Sequence, residues 1–434
     1  MQAGLLTRAA RRAQLGVWMP TTSLDLDETG LRPLWRGSPV FRNLPRERPA
    51  IHSSHPIPEK VSPRKKALDL RAKIKNQLVR SGDELRLHRG AILARLFGNA
   101  APRVMFFPSG AAEGASLLRA YNLASALAEK GWQTQTVPAS LGLSGRRRVI
   151  RSFRPNLIVF QQCRHALNSA DHAFGTPFVL DTDDADFYLT VPGLAERLER
   201  TSRAASGIMA GSRFLQKWHA TRNANTEIIW TGTPITEGKR TDHWQRQNDG
   251  LPILAWAQAE PLGYTEELDF VVDLACRLRR RDVSFQLRLY GIANEQDAAA
   301  LRSRFASDVA LDLIPPLPYD QFLRSLQEVA VGLSPIIATT PFSRGKSFGK
   351  ILGYLDANVP VIASDEADHA VFFTAETGVV SNDAAVWEDA AVRLLADPDK
   401  REEMAQAAFV RFREELSIEA ASERTDRFLR GLLA

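Results

Sequence analysis

The chain has 434 residues, of which 44% are hydrophobic and 24% charged, and its formal net charge at pH 7 is +6. This length is too great for one ordinary hydrophobic core and predicts two or three domains of a soluble globular protein. No run approaches the ~18 uninterrupted apolar residues of a membrane span, so we expect no segment to cross a bilayer as a helix. The two cysteines, Cys163 and Cys276, lie far apart in or beside apolar segments. We interpret them as reduced, mostly buried thiols of a cytoplasmic protein.

The positive charge is concentrated in the first 100 residues. They contain 19 Lys and Arg against 8 Asp and Glu, a net +11, which leaves −5 for residues 101–434. In this basic extension, amphipathic helices are predicted at 66–80 and 84–97. Such helices either lie in the surface of an anionic membrane or dock on the main body with their charges solvated, and both interpretations stay open. Nucleic-acid binding is not expected, because the body lacks a basic patch with interleaved aromatic residues.

The body begins with a buried-strand pattern at residues 103–107, RVMFF, followed by a glycine-containing loop and a helix predicted at 116–130. Strand and helix patterns then alternate on both sides of a polar segment at 237–250, which we interpret as an interdomain linker. The further predicted strands are 156–160, 177–181, 207–211, 227–232, 252–257, 285–291, 329–335 and 360–364. This alternation predicts parallel sheets that are covered by helices on both faces.

We therefore predict an α/β protein with two doubly wound, Rossmann-like parallel-sheet domains, at residues 101–245 and 250–416. The N-terminal extension, residues 1–100, is basic and partly helical. Ligands of doubly wound sheets bind outside the carboxyl ends of the strands, and two such edges that face each other form a cleft.

One short stretch, SRGKSFGKILGYLDANVPVIASD at residues 343–365, joins a lysine-rich turn, a short helix and a Pro-led apolar strand. A loop-to-helix junction offers free backbone N–H groups and the positive end of the helix dipole. With the ammonium groups of Lys346 and Lys350 added, the junction suits a diphosphate. The alternative is an ordinary helix start whose lysines face water.

The part GKSFGKILGYLDANVPVIASD, with TGVVSNDAAVWEDAAVRLLADPDKREEMAQAA after it, resembles the donor half of GT-B glycosyltransferases, especially the retaining family-four group. The first half resembles them more loosely. GASLLRAYNLASALAEKGW is similar to their opening helix, with Gly114 and Arg119 in the family's glycine and arginine places. VLDTDDADFY resembles a strand-end Asp-x-Asp-Asp element, and ASGIMAGSRFLQKW a strand-helix unit of the group. The resemblance covers roughly residues 103–425 in order and leaves residues 1–100 outside it.

The resemblance implies an enzyme without metal or cofactor that moves a sugar from a nucleotide-diphosphate donor to a hydroxyl of a glycan or glycoconjugate. Cations and helix N-terminal amides would stabilise the departing diphosphate. The chemically suited residues for this contact are Arg344, Lys346, Ser347 and Lys350. The residues expected elsewhere in the donor and acceptor cleft are Gly114, Arg119, Asp183, Gly263 and His369. The resemblance also implies that a helix at 417–434 crosses back onto the first domain, although a surface helix of the second domain fits its residues equally.

Four aspartates end a predicted strand of the first domain and are expected to face the cleft: Asp181, Asp183, Asp184 and Asp186. They could bind a metal ion, but the resemblance implies that none is needed. They otherwise cap the next helix as turn carboxylates, or orient acceptor hydroxyls as hydrogen-bond acceptors. If one of them takes part in catalysis as a base, the candidate is Asp184.

Two departures from the family pattern support a second hypothesis. The glutamate pair of the group falls at Gly345 and Gly353, neither of them acidic, so the ribose contact is missing or comes from elsewhere, with Asp356 as the candidate. The loop at 257–264, AQAEPLGY, also lacks the basic residue that many members have there. The alternative function is therefore a non-catalytic GT-B-fold binding or assembly module. Under either hypothesis we expect a cytoplasmic chain, peripheral to the inner face of the membrane if residues 66–97 bind lipid.

Overall fold

The structure is a computed structural model that describes residues 81–93, 101–236, 242–243, 250–337 and 341–434. The helix predicted at 66–80 and most of the linker predicted at 237–250 lie outside the described residues. The chain divides into two compact units. The smaller unit is made of residues 1–100, 140–154 and 189–192, and the larger of residues 101–139, 155–188 and 193–434.

Six parallel strands form the first sheet of the larger unit, in the order β2-β1-β3-β4-β5-β6. They are β1 Arg103–Phe107, β2 Gln133–Thr136, β3 Leu157–Gln161, β4 Phe178–Thr182, β5 Gly207–Ala210 and β6 Thr226–Ile228. The central strands β3, β4 and β5 are buried along their whole length, which is why their sequences are almost continuous apolar runs. Their register pairs Gln161 with Asp181 and Asp181 with Met209, so the chain that follows β3 lies beside the chain that follows β4.

Six further parallel strands form the second sheet, in the order β12-β11-β10-β7-β8-β9. They are β7 Ile253–Trp256, β8 Gln286–Tyr290, β9 Ala310–Ile314, β10 Val329–Ser334, β11 Val361–Ala363 and β12 Val379–Val380. Two such sheets confirm the predicted α/β fold class with two Rossmann-like domains. The strands β2 and β9, which the sequence did not predict, lie at the edges of their sheets and are only half-buried.

The helices alternate with the strands along the chain. They are α1 (residues 81–93), α2 (successive segments Gly114–Ser116, Leu117–Asn122 and Leu123–Glu129), α3 Leu143–Phe153, α4 Leu194–Ala204, α5 Arg213–Ala220, α6 Thr265–Arg280, α7 Glu295–Arg302, α8 Tyr319–Ser325, α9 Pro341–Arg344, α10 Leu352–Asp356, α11 His369–Phe372, α12 Ala384–Ala396, α13 Pro398–Glu415 and α14 Ile418–Gly431. Short 3₁₀ turns lie at Ala170–His172, Asp186–Tyr188, Pro261–Gly263, Leu326–Glu328 and Phe348–Lys350. None of the described helices is both long and apolar enough to cross a membrane.

Helices cover both faces of the second sheet, as a parallel sheet requires. On one face, Leu274 of α6 and Trp387 of α12 pack with the apolar residues of β7 and β8. On the other face, Tyr354 of α10 and Phe412 of α13 pack with Ala255 and Val361 of the strands. The strands β7 and β10 are parallel neighbours, so their carboxyl ends lie side by side at one edge of this sheet.

The last helix, α14, packs on the first domain rather than on the second. Its residues Ile418, Phe428 and Leu429 join the core formed by β1, β3 and α2. The Nε1 of Trp132 donates a hydrogen bond to Asp426 at 2.6 Å, and the backbone of Ser417 pairs with that of Thr233. The chain thus ends on the first domain, although α13, immediately before α14, belongs to the core of the second.

The smaller unit brings α1 and α3 into contact. Arg148 of α3 donates two hydrogen bonds to Glu84 of α1, from Nε at 2.5 Å and from Nη2 at 2.9 Å. Gly145 of α3 also faces this contact, since a Cβ atom built on it would lie 3.4 Å from Glu84 Oε2. The predicted helix at 84–97 is described up to residue 93 and is helical there.

Candidate active site

Lys346 and Lys350 lie on the turn that leads into α10, close to the carboxyl end of β10. Lys346 is buried and Lys350 is half-buried. Both amino groups face the ring of Tyr264, with Nζ 4.2 Å and 5.6 Å, respectively, from its centroid. Lys350 Nζ also donates a hydrogen bond to Gln258 Oε1 at 2.5 Å. Lys346 Nζ makes no ion pair and no hydrogen bond with any described residue, so a nearly buried ammonium group has an aromatic ring but no carboxylate as its partner.

The two lysines line a pocket at the carboxyl ends of β7 and β10, together with Trp256, Gln258 and Ser334. Ser334 is the last residue of β10 and is buried, and its Oγ has no hydrogen-bond partner in the described part of the chain. A buried polar group without a partner costs about 1–3 kcal/mol, which a ligand oxygen that hydrogen-bonds to it would offset. An apolar wall with a few convergent polar groups is the usual composition of a small-molecule site.

Burial lowers the pKa of both lysines, because the charged amino group loses its hydration. The pKa of Lys350 falls to about 7, with the like charge of Lys346 adding to the effect of burial. The pKa of Lys346 is also lowered by burial. The carboxylates of Asp184 and Glu267 act in the opposite direction on both lysines without restoring their ordinary pKa values. The pocket therefore holds positive charge that a bound anion would stabilise.

The other two residues expected to contact the diphosphate point elsewhere. Ser347 is buried, and its Oγ lies 2.8 Å from Oγ1 of Thr231 in the first domain. The Arg344 side chain is 48% exposed; its Nε lies 3.4 Å from Glu366, and its guanidinium lies 5.4 Å from the ring centroid of Phe214. Of the four residues, only the two lysines line the pocket.

The aspartates that follow β4 form a network with Arg164. Its Nη2 lies 2.6 Å from Oδ2 of Asp184 and 2.6 Å from Oδ1 of Asp186. Asp183 accepts a hydrogen bond from the amide of Gln162. Burial raises the pKa of Asp183 to about 7, with the neighbouring charge of Asp184 adding to it, and burial raises the pKa of Asp186 to about 6 against the effect of Arg164. The Asp184 side chain is 21% exposed, whereas Asp183 and Asp186 are buried. Asp184 is therefore the carboxylate of this network that solvent reaches.

Arg119 lies in the wall of the first domain, in the π-helical middle segment of α2. It is buried and pairs through Nε and Nη2 with the fully buried carboxylate of Asp181. Its Nη1 donates hydrogen bonds to the carbonyl of Ile229 at 2.9 Å and to Thr231 Oγ1 at 3.0 Å. Each of its nitrogens is therefore hydrogen-bonded within the first domain. One of its partners, Thr231 Oγ1, is the atom that contacts Ser347 Oγ of the second domain.

The remaining predicted cleft residues lie apart from the pocket. Gly114 begins α2 with a φ of +48°, a left-handed conformation that favours glycine, and it is exposed. Gly263 ends the 3₁₀ turn before α6. His369 is buried, and its Nδ1 lies 2.9 Å from the carbonyl of Ser364. Burial lowers the pKa of His369 to about 4, so this histidine is neutral at physiological pH.

The positions of the missing glutamates are closely packed against apolar neighbours. A Cβ atom built on Gly345 would lie 2.4 Å from the Cβ of Ala185, which follows Asp184 in the first domain. A Cβ on Gly353 would lie 3.0 Å from the apolar side chains of Phe322 and Leu326. Asp356, the candidate substitute, is buried and accepts a hydrogen bond from the backbone N–H of Thr236 at 2.8 Å.

Sequence reasoning missed three residues of the site: Gln258, Tyr264 and Ser334. Ser334 was detectable as the polar residue that closes the apolar strand pattern VAVGLS. Gln258 and Tyr264 belong to the loop after β7, which has no basic residue in the family's position. The loop supplies an amide oxygen and an aromatic face to the lysines instead.

No protein-family model and no curated protein matches the chain. Solved structures do. Sucrose-phosphate synthase from Thermosynechococcus elongatus is 15% identical, with a TM-score of 0.59 over 76% of this chain and 99% of that one. HepE from Anabaena, in complex with UDP and glucose, is 12% identical, with a TM-score of 0.57 over 76% of this chain and 100% of that one. A glycosyltransferase from Rickettsia africae is 10% identical, with a TM-score of 0.56 over 77% of this chain and 99% of that one.

These similarities show that the chain has the GT-B fold. The resemblance seen in the sequence is thereby confirmed at the level of the fold, which is the level that identities of 10–15% support.

Proposed function

We propose that the chain is a GT-B glycosyltransferase that binds a nucleoside-diphosphate sugar at the pocket of Lys346 and Lys350 and transfers the sugar to a hydroxyl of a glycan or glycoconjugate. The observation that carries the proposal is the buried Lys346 ammonium group, which lies against the ring of Tyr264 and forms no ion pair with any residue that the structure describes. An unpaired charge in such a place is costly, and a bound anion offsets the cost. The lowered pKa of the neighbouring Lys350 has the same physical origin.

In this proposal the two ammonium groups stabilise the negative charge that develops on the departing diphosphate. Gln258 holds the Lys350 amino group in place, and the Ser334 hydroxyl donates to a ligand oxygen. We propose that these two ammonium groups take the place of a metal ion in stabilising the diphosphate, so that the reaction needs no metal ion. UDP is the first nucleotide to test, because HepE, with the same fold, was solved with UDP and glucose.

Asp184 is the residue that we propose to orient or deprotonate the acceptor hydroxyl. It is the solvent-accessible member of the aspartate network, it is fixed by Arg164, and its charge acts on both lysines of the second domain. A partly exposed carboxylate close enough to act on the two lysines can accept a hydroxyl proton in the transition state. Retention of configuration is the stereochemical outcome that we propose on the basis of the sequence resemblance.

A second candidate function is a GT-B module that binds its ligand without transferring a sugar. The contacts at Gly345 and Gly353 favour it, because both glutamate positions are filled by apolar neighbours. In that case the lysine pocket still binds a nucleotide anion. The two functions therefore differ in turnover and not in nucleotide binding.

Calorimetric titration with UDP-, GDP- and ADP-sugars tests the proposal, followed by a transfer assay with the donor that binds. We expect one donor class to bind to the wild type and to bind much more weakly to Lys346→Met. Lys217→Met, a change at an exposed lysine of α5, is the matched control and should bind as the wild type does. Binding without turnover would support the module, and absence of binding by every nucleotide sugar to the folded protein would overturn both functions.

We also propose a peripheral contact of residues 66–97 with a membrane at the cytoplasmic face, where a lipid-linked or membrane-borne acceptor would be within reach. The basic composition of the N-terminal 100 residues supports it. A flotation assay with vesicles tests this contact independently of transfer.

A further inference from the structure

The helix α1 exposes the apolar side chains that a surface helix usually buries. Leu85, Ile92 and Leu93 are 63%, 53% and 52% exposed. Their spacing places them on one helical face, together with the exposed residue Arg89. The buried residue of the helix is the small Ala91. Three of the four larger aliphatic side chains of α1 thus face outward, and the fourth, Leu87, is half-buried.

The helix α3, in the same compact unit, exposes a row of arginines. Arg147, Arg148 and Arg151 are exposed, and Leu143 is 46% exposed one turn before Arg147. The spacing of Leu143, Arg147 and Arg151 is four residues, which aligns them along one face of α3. The segment 140–154 has five arginines and no acidic residue.

An ion pair joins the two helices and occupies an acidic side chain of α1. Glu84 accepts both hydrogen bonds from Arg148, and the Arg148 guanidinium lowers the pKa of Glu84. Asp83, the other acidic residue of α1, pairs with Arg86 at 2.9 Å. Segments 81–93 and 140–154 together contain seven arginines and two acidic residues; Arg86 and Arg148 pair with those two carboxylates, and Arg146 is buried. The unit therefore combines an excess of positive charge with exposed aliphatic side chains.

We infer that α1 and α3 together form a binding surface for anionic lipid headgroups, with the aliphatic side chains of α1 inserted between acyl chains and the arginines of α3 on the phosphates. This combination of arginines and exposed aliphatic residues is the physical requirement for an interfacial helix. A nucleic acid fits less well, because single strands are bound by stacking on large aromatic rings, and neither α1 nor the exposed face of α3 has a Phe, Tyr or Trp.

The inference extends the proposed membrane contact of residues 66–97 to a second element, α3, which lies outside that range. It does not depend on sugar transfer, and variants of α1 and of α3 test the two parts separately.

The experiment is co-sedimentation of the full chain with vesicles of phosphatidylcholine, alone or mixed in equal parts with phosphatidylglycerol. We expect binding only to the mixed vesicles, weakened by added salt because the arginine contacts are screened. Arg147→Gln/Arg151→Gln should weaken it roughly 30-fold, since each basic residue near an anionic surface contributes a factor of about five. Ile92→Ser/Leu93→Ser should also weaken it, with the remaining binding more sensitive to salt.

Matched controls are Arg280→Gln/Arg413→Gln, which removes the same charge from exposed positions of the larger unit, and Val410→Ser, which removes an exposed aliphatic side chain from α13. Both should bind as the wild type does. All changes are at exposed positions, and circular dichroism checks that each variant is folded.

Several outcomes would overturn the inference. Equal binding to both kinds of vesicle would show that the anionic headgroup is not recognised. Equal losses in the arginine variant and its control would show a general effect of net charge. If only the α1 variant lost binding, residues 66–97 would remain the membrane contact without α3. Binding to poly(U) RNA in place of vesicles would identify a nucleic-acid surface.

Discussion

Lys350 should make nucleotide-sugar binding depend on pH in a defined direction. In the free protein its pKa is lowered to about 7 by burial and by the charge of Lys346. A diphosphate at ~4 Å favours the charged amino group by about 4 kcal/mol at an effective dielectric constant of about 20, which corresponds to about three pKa units. We therefore expect the pKa of Lys350 in the complex to return close to its ordinary value of 10.5.

Proton linkage then sets the sign of the effect. Below about pH 7 Lys350 is charged in both the free and the bound protein, and its titration leaves the affinity unchanged. Above that pH the free protein must take up a proton to bind, so the association constant should fall about tenfold per pH unit, or about 100-fold over two units. Tyr264 stays neutral in this range, because burial raises its pKa to about 12. UDP-glucose is the suitable probe, since its diphosphate diester does not titrate there.

Isothermal titration calorimetry in two buffers of different ionisation enthalpy measures both the affinity and the proton uptake. About one pH unit above the free pKa, we expect close to one proton to be taken up per UDP-glucose bound. Lys350→Met keeps the aliphatic length of the side chain and should bind weakly, without the steep pH dependence. Lys217→Met should retain it. An affinity that stays flat across this range, with no proton uptake, would refute the assignment of Lys350 to the diphosphate.

Three further changes test other parts of the site. Arg119→Met leaves the carboxylate of Asp181 buried without its partner. This variant should lower the free energy of unfolding, measured in urea, by about 3–5 kcal/mol. A change below about 1 kcal/mol would contradict the buried pair. Asp184→Asn should abolish sugar transfer while UDP-glucose still binds in calorimetry, and unchanged turnover would remove this carboxylate from the chemistry. Gly345→Glu should lower the melting temperature and leave transfer unimproved, because its Cβ meets an alanine of the first domain. Gly349→Glu, whose Cβ has open space around it, is the control and should leave the melting temperature unchanged. Equal melting temperatures for the two variants would contradict the close contact at Gly345.

The sequence predicted the sheets best where their strands are central. Runs such as LIVF in β3 and VAVGL in β10 are apolar throughout, since both faces of a parallel sheet are buried. The edge strand β2, with the sequence QTQT, is half-buried along its length and carries no such pattern. The edge strand β9 has an aspartate within it and is also half-buried. An edge strand is held by backbone hydrogen bonds to its one neighbouring strand, and the hydrophobic pattern of its own sequence does not reveal that pairing.

The chemistry of the site could be predicted only in part, because it depends on contacts between segments that are distant in sequence. The two lysines were identifiable from their spacing on the turn that leads into a predicted short helix, and both line one pocket in the structure. The burial of Arg119 was not identifiable, since its partner Asp181 is 62 residues away. The same holds for Tyr264, whose role follows from the position of its ring relative to the Lys346 amino group and not from any motif.

The pocket of Lys346 and Lys350 is proposed to hold the diphosphate of a nucleotide sugar. Phosphorus NMR of UDP-glucose observes that group directly. With the wild-type protein both phosphorus resonances should shift or broaden on binding, and with the folded Lys346→Met/Lys350→Met variant they should remain as in free solution. Resonances that the double variant perturbs as strongly as the wild type does would show that the diphosphate binds elsewhere.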